Sequence, residues 1–147
     1  MVGTVKAVCI SERKGVVKTP VAGARLVAEH GLAGDAHAGP GRRQISLLAA
    51  ESIARVRVAL PDLADGAFAE NIVTAGVALG SARIGDRIRV GAAVLEVTQI
   101  GKECHNACAI KQAIGDCIMP REGIFCRVIS GGAVAPGDVV EFAARGV

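Results

Sequence analysis

The chain has 147 residues, 17 Lys and Arg against 14 Asp and Glu, a formal net charge of +3, and neither Tyr nor Trp. That length fits one domain, residues 1–147, with a core of its own; so small and dispersed a charge, with no Tyr or Trp for bases to stack on, sets nucleic acid aside as a partner. A mildly basic surface still suits a small anionic ligand such as a phosphate ester.

Three aromatic residues, all Phe, leave Val, Ile, Leu and Ala to fill the core, and their β-branched fraction favours strands. The amino terminus lacks a signal peptide's apolar segment, and no run of 18 apolar residues could span a bilayer. A cytoplasmic protein without a membrane partner is expected. Five cysteines cannot all pair within the chain, and in a reducing compartment free thiols point to metal binding or catalysis.

In chain order, Val2 to Ile10 alternates as a half-buried strand, with Val5, Ala7 and Cys9 on one face and Thr4, Lys6 and Val8 on the other. Ser11 to Gly15 is a polar turn, and Gly23 to Glu29 a second strand. Gly31 to Gln44 holds four glycines, a proline, His37, Arg42 and Arg43. It reads either as a surface loop or as an anion cradle in which glycine backbone and arginines meet a negative group.

Ile45 to Leu48 makes a short strand, after which Ala49, Ile53, Val56 and Leu60 form a helical stripe that Pro61 ends. Gly66 to Thr74 is a strand with Glu70 and Asn71 in its middle. Glu70 is expected on the solvated face, whereas Asn71 suits bonding to backbone groups. Gly85-Asp86 and Gly137-Asp138 each read as a tight turn opening an alternating strand. The first such strand, with Arg87 and Arg89 on a solvated face, is followed by an antiparallel partner from Ala93 to Ile100. Ala109 to Gly115 predicts one or two helical turns, and Gly123 to Ile129 a further strand. Short strands with glycine turns every 8–12 residues or so indicate a mostly β, barrel-like fold of roughly seven or eight strands, with one main helix at Ala49 to Leu60.

The chemistry concentrates between Lys102 and Cys126, where four of the five cysteines fall: Cys104, Cys108, Cys117 and Cys126. The thiolate is the nucleophile and the soft metal ligand, and nearby cations lower a cysteine's pKa from about 8.5. Lys102, Lys111 and Arg121 are placed to do so, and Cys108 precedes the Ala109 to Gly115 turns, whose N-terminus favours negative charge. Cys9 and Cys126 read as small core hydrophobes.

Gly34-Asp35-Ala36-His37, Arg43-Gln44-Ile45-Ser46-Leu47-Leu48 with Glu51, Phe68 with Glu70-Asn71, and Gly85-Asp86 through Val97 together resemble the MOSC domain family, named for the C-terminal domain of molybdenum cofactor sulfurases. The resemblance covers nearly the whole chain and is closest to the short, stand-alone bacterial subgroup. It implies a β-barrel-like fold, chemistry related to the molybdenum cofactor (molybdopterin), and a functional cysteine at Cys108. Ala107 stands where relatives often carry Arg. No lysine-bearing pyridoxal-phosphate domain is recognisable, so the resemblance implies a separate cysteine desulfurase as sulfur donor and a molybdoenzyme as recipient, with molybdenum or tungsten as the metal.

Three site readings follow. A sulfur carrier needs an accessible thiol, Cys108, with Cys104 or Cys117 to aid release. A molybdenum site needs the Cys108 thiolate as ligand and donors for a phosphate-bearing pterin, supplied by Arg42, Arg43, Lys102 and Arg121, with Asn71 in the same set. A structural zinc site would draw on Cys104, His105, Cys108 and Cys117, although no paired CxxC knuckle is present. His37, in its glycine-rich loop, can serve as acid, base or ligand.

Overall fold

Alternating burial along Val2–Ile10 makes β1, which pairs antiparallel with three other strands and anchors the sheet. The computed structural model describes residues 2–101, 118 and 122–143. After β1 come β2 (Thr19–Val21), β3 (Ala24–Val27), β4 (Gly31–Leu32), β5 (Ile45–Ala49), helix α1 (Ala50–Arg57), β6 (Ile72–Ala75) and a 3-10 turn at Leu79–Ser81. Then follow β7 (Arg87–Val90), β8 (Ala93–Ile100), β9 (Ile124–Ser130), β10 (Gly132–Val134) and β11 (Val139–Phe142).

Strands β11-β7-β8-β9-β5-β6-β1 run in that order, and β11 pairs back onto β1, so seven strands close into a barrel with β2 as an extra edge on β1. A second sheet, β10-β3-β4, has its own hydrogen-bonded ladder and packs Leu26, Leu32 and Val134 into the same core as the ring. β5 and β6 pair in parallel. Parallel neighbours need a crossover, and α1 is part of it. The mostly β barrel with one main helix is what the sequence predicts. The helix is shorter than its apolar stripe, because Ala49 is extended (φ −74°, ψ 134°) and regular helix ends at Arg57. Leu60 N–H still bonds to Val56 O (3.1 Å), after which Leu63 N–H closes a separate turn over Pro61 onto Leu60 O (3.1 Å); proline disfavours a helical residue before it.

Two cores result. Val5, Val8, Ile45, Leu47, Ile72, Ile88, Leu95 and Cys126 pack in one cluster that fills the barrel. Ile53 and Val56 of α1 pack with Ala7, Cys9, Leu48, Val73 and Phe125 in the other, on the outer face of the same strands. Simple alternation would put Val5, Ala7 and Cys9 on one face. A bulge between Val5 and Ala7, where β1 meets β6, sends Val5 inward and Ala7 and Cys9 outward beneath the helix. The segment predicted as a strand from Gly23 to Glu29 is shorter, and Glu29 turns the chain in a left-handed conformation (φ 54°).

Both Gly-Asp turns form as predicted. Gly85 and Gly137 have φ of 92° and 95°, and the carboxylates of Asp86 and Asp138 accept the N–H of Arg83 and Ala135 at 2.9 Å. Arg87 and Arg89 lie on the solvated face, 3.9 and 3.7 Å from Glu96 and Glu141.

Candidate functional site

The glycine-rich stretch is pinned to the end of β1. Asp35 N–H donates to Leu32 O (3.1 Å) and Ala36 N–H to Ser11 O (2.8 Å). This delivers the Asp35 side chain to a buried lysine. Asp35 Oδ1 accepts from Lys18 Nζ (2.7 Å) and from Ser11 N–H (3.1 Å), while Oδ2 accepts the His37 backbone N–H (3.2 Å). The two charged side chains are 1% and 0% exposed. The Lys18 ammonium also donates to Ser11 Oγ at 3.2 Å and faces His37 Nδ1 at 2.8 Å. Burial pushes the Asp35 carboxyl up, but the Lys18 and Ser11 hydrogen bonds outweigh it and hold the group below the usual carboxylate range.

Asn71 ties three strands together, as its polar amide suggested. Its Oδ1 accepts the Ser46 N–H (3.0 Å) and hydroxyl (3.3 Å), its Nδ2 donates to Cys9 O (3.1 Å), and its own N–H donates to Ser46 Oγ (3.1 Å).

Glu70 corrects the sequence reading, which put it on a solvated strand face. It is fully buried and precedes β6 in a turn, where its Oε2 accepts the Gly66 N–H (2.9 Å) and Oε1 the Phe68 N–H (3.0 Å). Burial raises its carboxyl above the usual range, opposed by those N–H groups. Ala69, inside the turn, is held left-handed (φ 62°). Lys18 N–H donates to Gly66 O at 2.9 Å, and a Cβ on Gly66 would collide with the Lys18 carbonyl. Glu70 therefore shapes the turn against which the Lys18 backbone rests.

Arg42 and Arg43 are exposed at the end of the same loop. The Arg42 carbonyl accepts the Thr98 hydroxyl. Arg43 Nε donates to Gln99 Oε1 (3.1 Å), and its guanidinium lies 5.4 Å from the Phe125 ring centroid. Gln99 Nε2 in turn donates to Gly101 O (2.9 Å), and Gly101 N–H to Gly123 O (2.7 Å). Arg43 thus stands where the cysteine-bearing stretch leaves β8 and returns to β9. Cys104, Cys108, Cys117, His105, Lys102, Lys111, Arg121 and the helical turns predicted from Ala109 to Gly115 lie outside the described residues. Ile118 is buried beside Phe125 in the outer core.

The two described cysteines are packing residues. Both are fully buried. Burial, with Glu70 and Asp65 adding to it, pushes the Cys9 thiol up to about 12, and burial drives that of Cys126 higher still. Thiols held protonated in this way are inert. Among the described residues no group of three or more His, Cys, Asp and Glu could hold a metal. Donors for an anion are present: Arg42 and Arg43 offer exposed guanidinium groups, and beside them Gly39 and Gly41, at φ 149° and 122°, have open space where a Cβ would stand. That donor set fits a phosphate-bearing group.

A closed β barrel with one crossover helix, carrying a buried Lys–Asp pair beside the half-buried His37 and an arginine-bearing glycine loop, defines the class. Residues 33–141 match the family model described as MOSC domain, and the chain belongs to the MOSC domain family. That membership suggests a function related to the molybdenum cofactor. Similar solved structures include the YuaD protein from Bacillus subtilis, with TM-score 0.79 and 21% identity over 97% of this chain and 96% of that one. YiiM from Geobacillus stearothermophilus has TM-score 0.69 and 20% identity, covering 96% of this chain and 75% of that one. YiiM from Escherichia coli has TM-score 0.66 and 21% identity, covering 99% and 71%. At such identities the likeness shows the fold. No curated protein matches the chain. No helix among the described residues is long and apolar enough to cross a membrane.

Proposed function

We propose that this MOSC protein is a cytoplasmic sulfur carrier that takes sulfur from a separate pyridoxal-phosphate cysteine desulfurase and passes it to a molybdenum or tungsten cofactor. Family membership carries the reading, because Cys108 falls where the family's functional cysteine is expected. The Cys108 thiolate attacks the outer sulfur of the donor's persulfide: a new S–S bond forms on Cys108, the donor's S–S bond breaks, and the donor leaves as a thiolate with no net redox change. Attack by Cys104 or Cys117 on Cys108 Sγ then expels the outer sulfur as hydrosulfide and leaves a disulfide for a cellular thiol to reduce. Lys102 and Arg121 lower the thiolate's pKa, and with Arg42 and Arg43 they hold the phosphate of the pterin. The bound cofactor supplies the metal that receives sulfur and that Cys108 can ligate.

The test is to incubate reduced protein with a cysteine desulfurase and free cysteine, trap persulfides with an alkylating probe and map the label. Label should concentrate on Cys108 and be lost in Cys108→Ser. Equal label on Cys9 and Cys126 would overturn the assignment. If Cys108→Ser still binds the cofactor and supports a partner molybdoenzyme, the protein is a binding module without sulfur chemistry. Stoichiometric zinc after anaerobic purification would instead support a structural zinc site.

A further inference from the structure

We propose that Gln99 is a positioning residue: its side-chain amide holds the Arg43 guanidinium in one orientation without neutralising it, and so keeps it open to an oxyanion. In a regular strand Thr98 and Gln99 would point to opposite faces. The register of β8 on β9 shifts between Val97 and Gln99, and such a bulge re-aims side chains. Both residues therefore meet the end of the glycine-rich loop, Thr98 at the Arg42 carbonyl and Gln99 at the Arg43 side chain.

The amide fits only one way round. Its Oε1 accepts Arg43 Nε–H at 3.1 Å and its Nε2 donates to Gly101 O at 2.9 Å. Turned over, it would set N–H against N–H at one end and oxygen against oxygen at the other. A guanidinium has five N–H donors, and Gln99 takes the one on Nε. The group also lies over the Phe125 ring, 5.4 Å from its centroid. Held at one edge by the amide and on one face by the ring, the exposed Arg43 presents its two terminal nitrogens, an edge that matches two oxygens of one phosphate.

The charge of the tether is what sets this arginine apart. Arg127 is met by the carboxylates of Glu96 and Glu29 at 3.1 and 2.6 Å, and Arg57 by that of Asp65 at 3.0 Å. Those carboxylates compete with any incoming anion. Arg43 is met by an amide and a ring instead, which give direction and leave the charge in place. Through Gly101 the same amide is fastened where β8 gives out, so the barrel sets where the guanidinium stands. That the oxyanion is the cofactor's phosphate rests on the proposed function; the tether does not.

NMR of the arginine Nε–H groups, with inorganic phosphate as the probe and no cofactor present, tests this at about pH 7. The Arg43 signal, assigned by its loss in Arg43→Lys, should move saturably with phosphate and not with potassium chloride at equal ionic strength. Gln99→Leu removes the tether and should weaken phosphate binding. Gln99→Glu restores an acceptor for Nε–H but brings a competing charge, so it should bind more weakly still, about tenfold or more below wild type. A tether serving structure alone would lower the urea midpoint and leave phosphate affinity unchanged. That outcome overturns the proposal, as does an Arg43 signal that phosphate does not saturate, or a Gln99→Glu protein that binds phosphate as well as Gln99→Leu or better. Absence of persulfide on Cys108 would remove the sulfur-carrier reading and leave the Gln99 result standing, whereas full labelling without a phosphate response would remove the Gln99 proposal alone.

Discussion

Lys18 and Asp35 carry opposite charges almost out of reach of water, and such a pair matters most when one half is removed. Lys18→Met should cost about 3–5 kcal/mol in denaturant unfolding, and adding Asp35→Leu should recover a large part of that. The pair also sets a pH dependence. The folded carboxyl of Asp35 titrates below its unfolded value of about 3.9, so its contribution is complete above that value and is lost as pH falls through the lower folded one. The stability gap between wild type and Asp35→Asn should hold steady near neutrality and narrow on acidification below about pH 4. Glu70 differs, because each of its oxygens accepts one backbone N–H. Glu70→Gln would face one of them with an amide N–H and should cost about 1–3 kcal/mol. None of this burial was legible locally. Lys18 and Asp35 are 17 positions apart, and no periodicity marks a contact made by a loop folding back on a strand end.

At the scale of elements, the strands were legible because alternating apolar residues and Gly-Asp turns are local signals. The bulge in β1 was not, since it arises from register with β6. The turn before β6 was misread for a related reason: its Glu-Asn pair looks like a strand's polar face until Gly66 is seen to pack on Lys18. Gly66 and Gly85 share φ 92°, yet only at Gly66 would a Cβ meet another segment's backbone. Gly85→Ala should cost about 1–2 kcal/mol for the left-handed backbone alone. Gly66→Ala should cost that and about 1–3 kcal/mol more for the forced displacement, read as a larger fall in urea midpoint.

For the molecule as a whole, closure of β11 onto β1 leaves the ring of seven strands without a free edge. Cys126 lies within that ring and Cys9 beneath the helix outside it. Neither should react with a thiol reagent until the protein unfolds, so mass spectrometry of natively alkylated protein should find both unmodified. The bond from Gly101 N–H to Gly123 O has a different consequence. The stretch that carries the cysteines begins and ends at one point of a barrel already complete without it. Closure entropy rises only slowly with loop length, so changes in the length of that stretch should cost the barrel little, provided that they keep Ile118 in the outer core and Glu122 on Ser52 and Arg55 of α1.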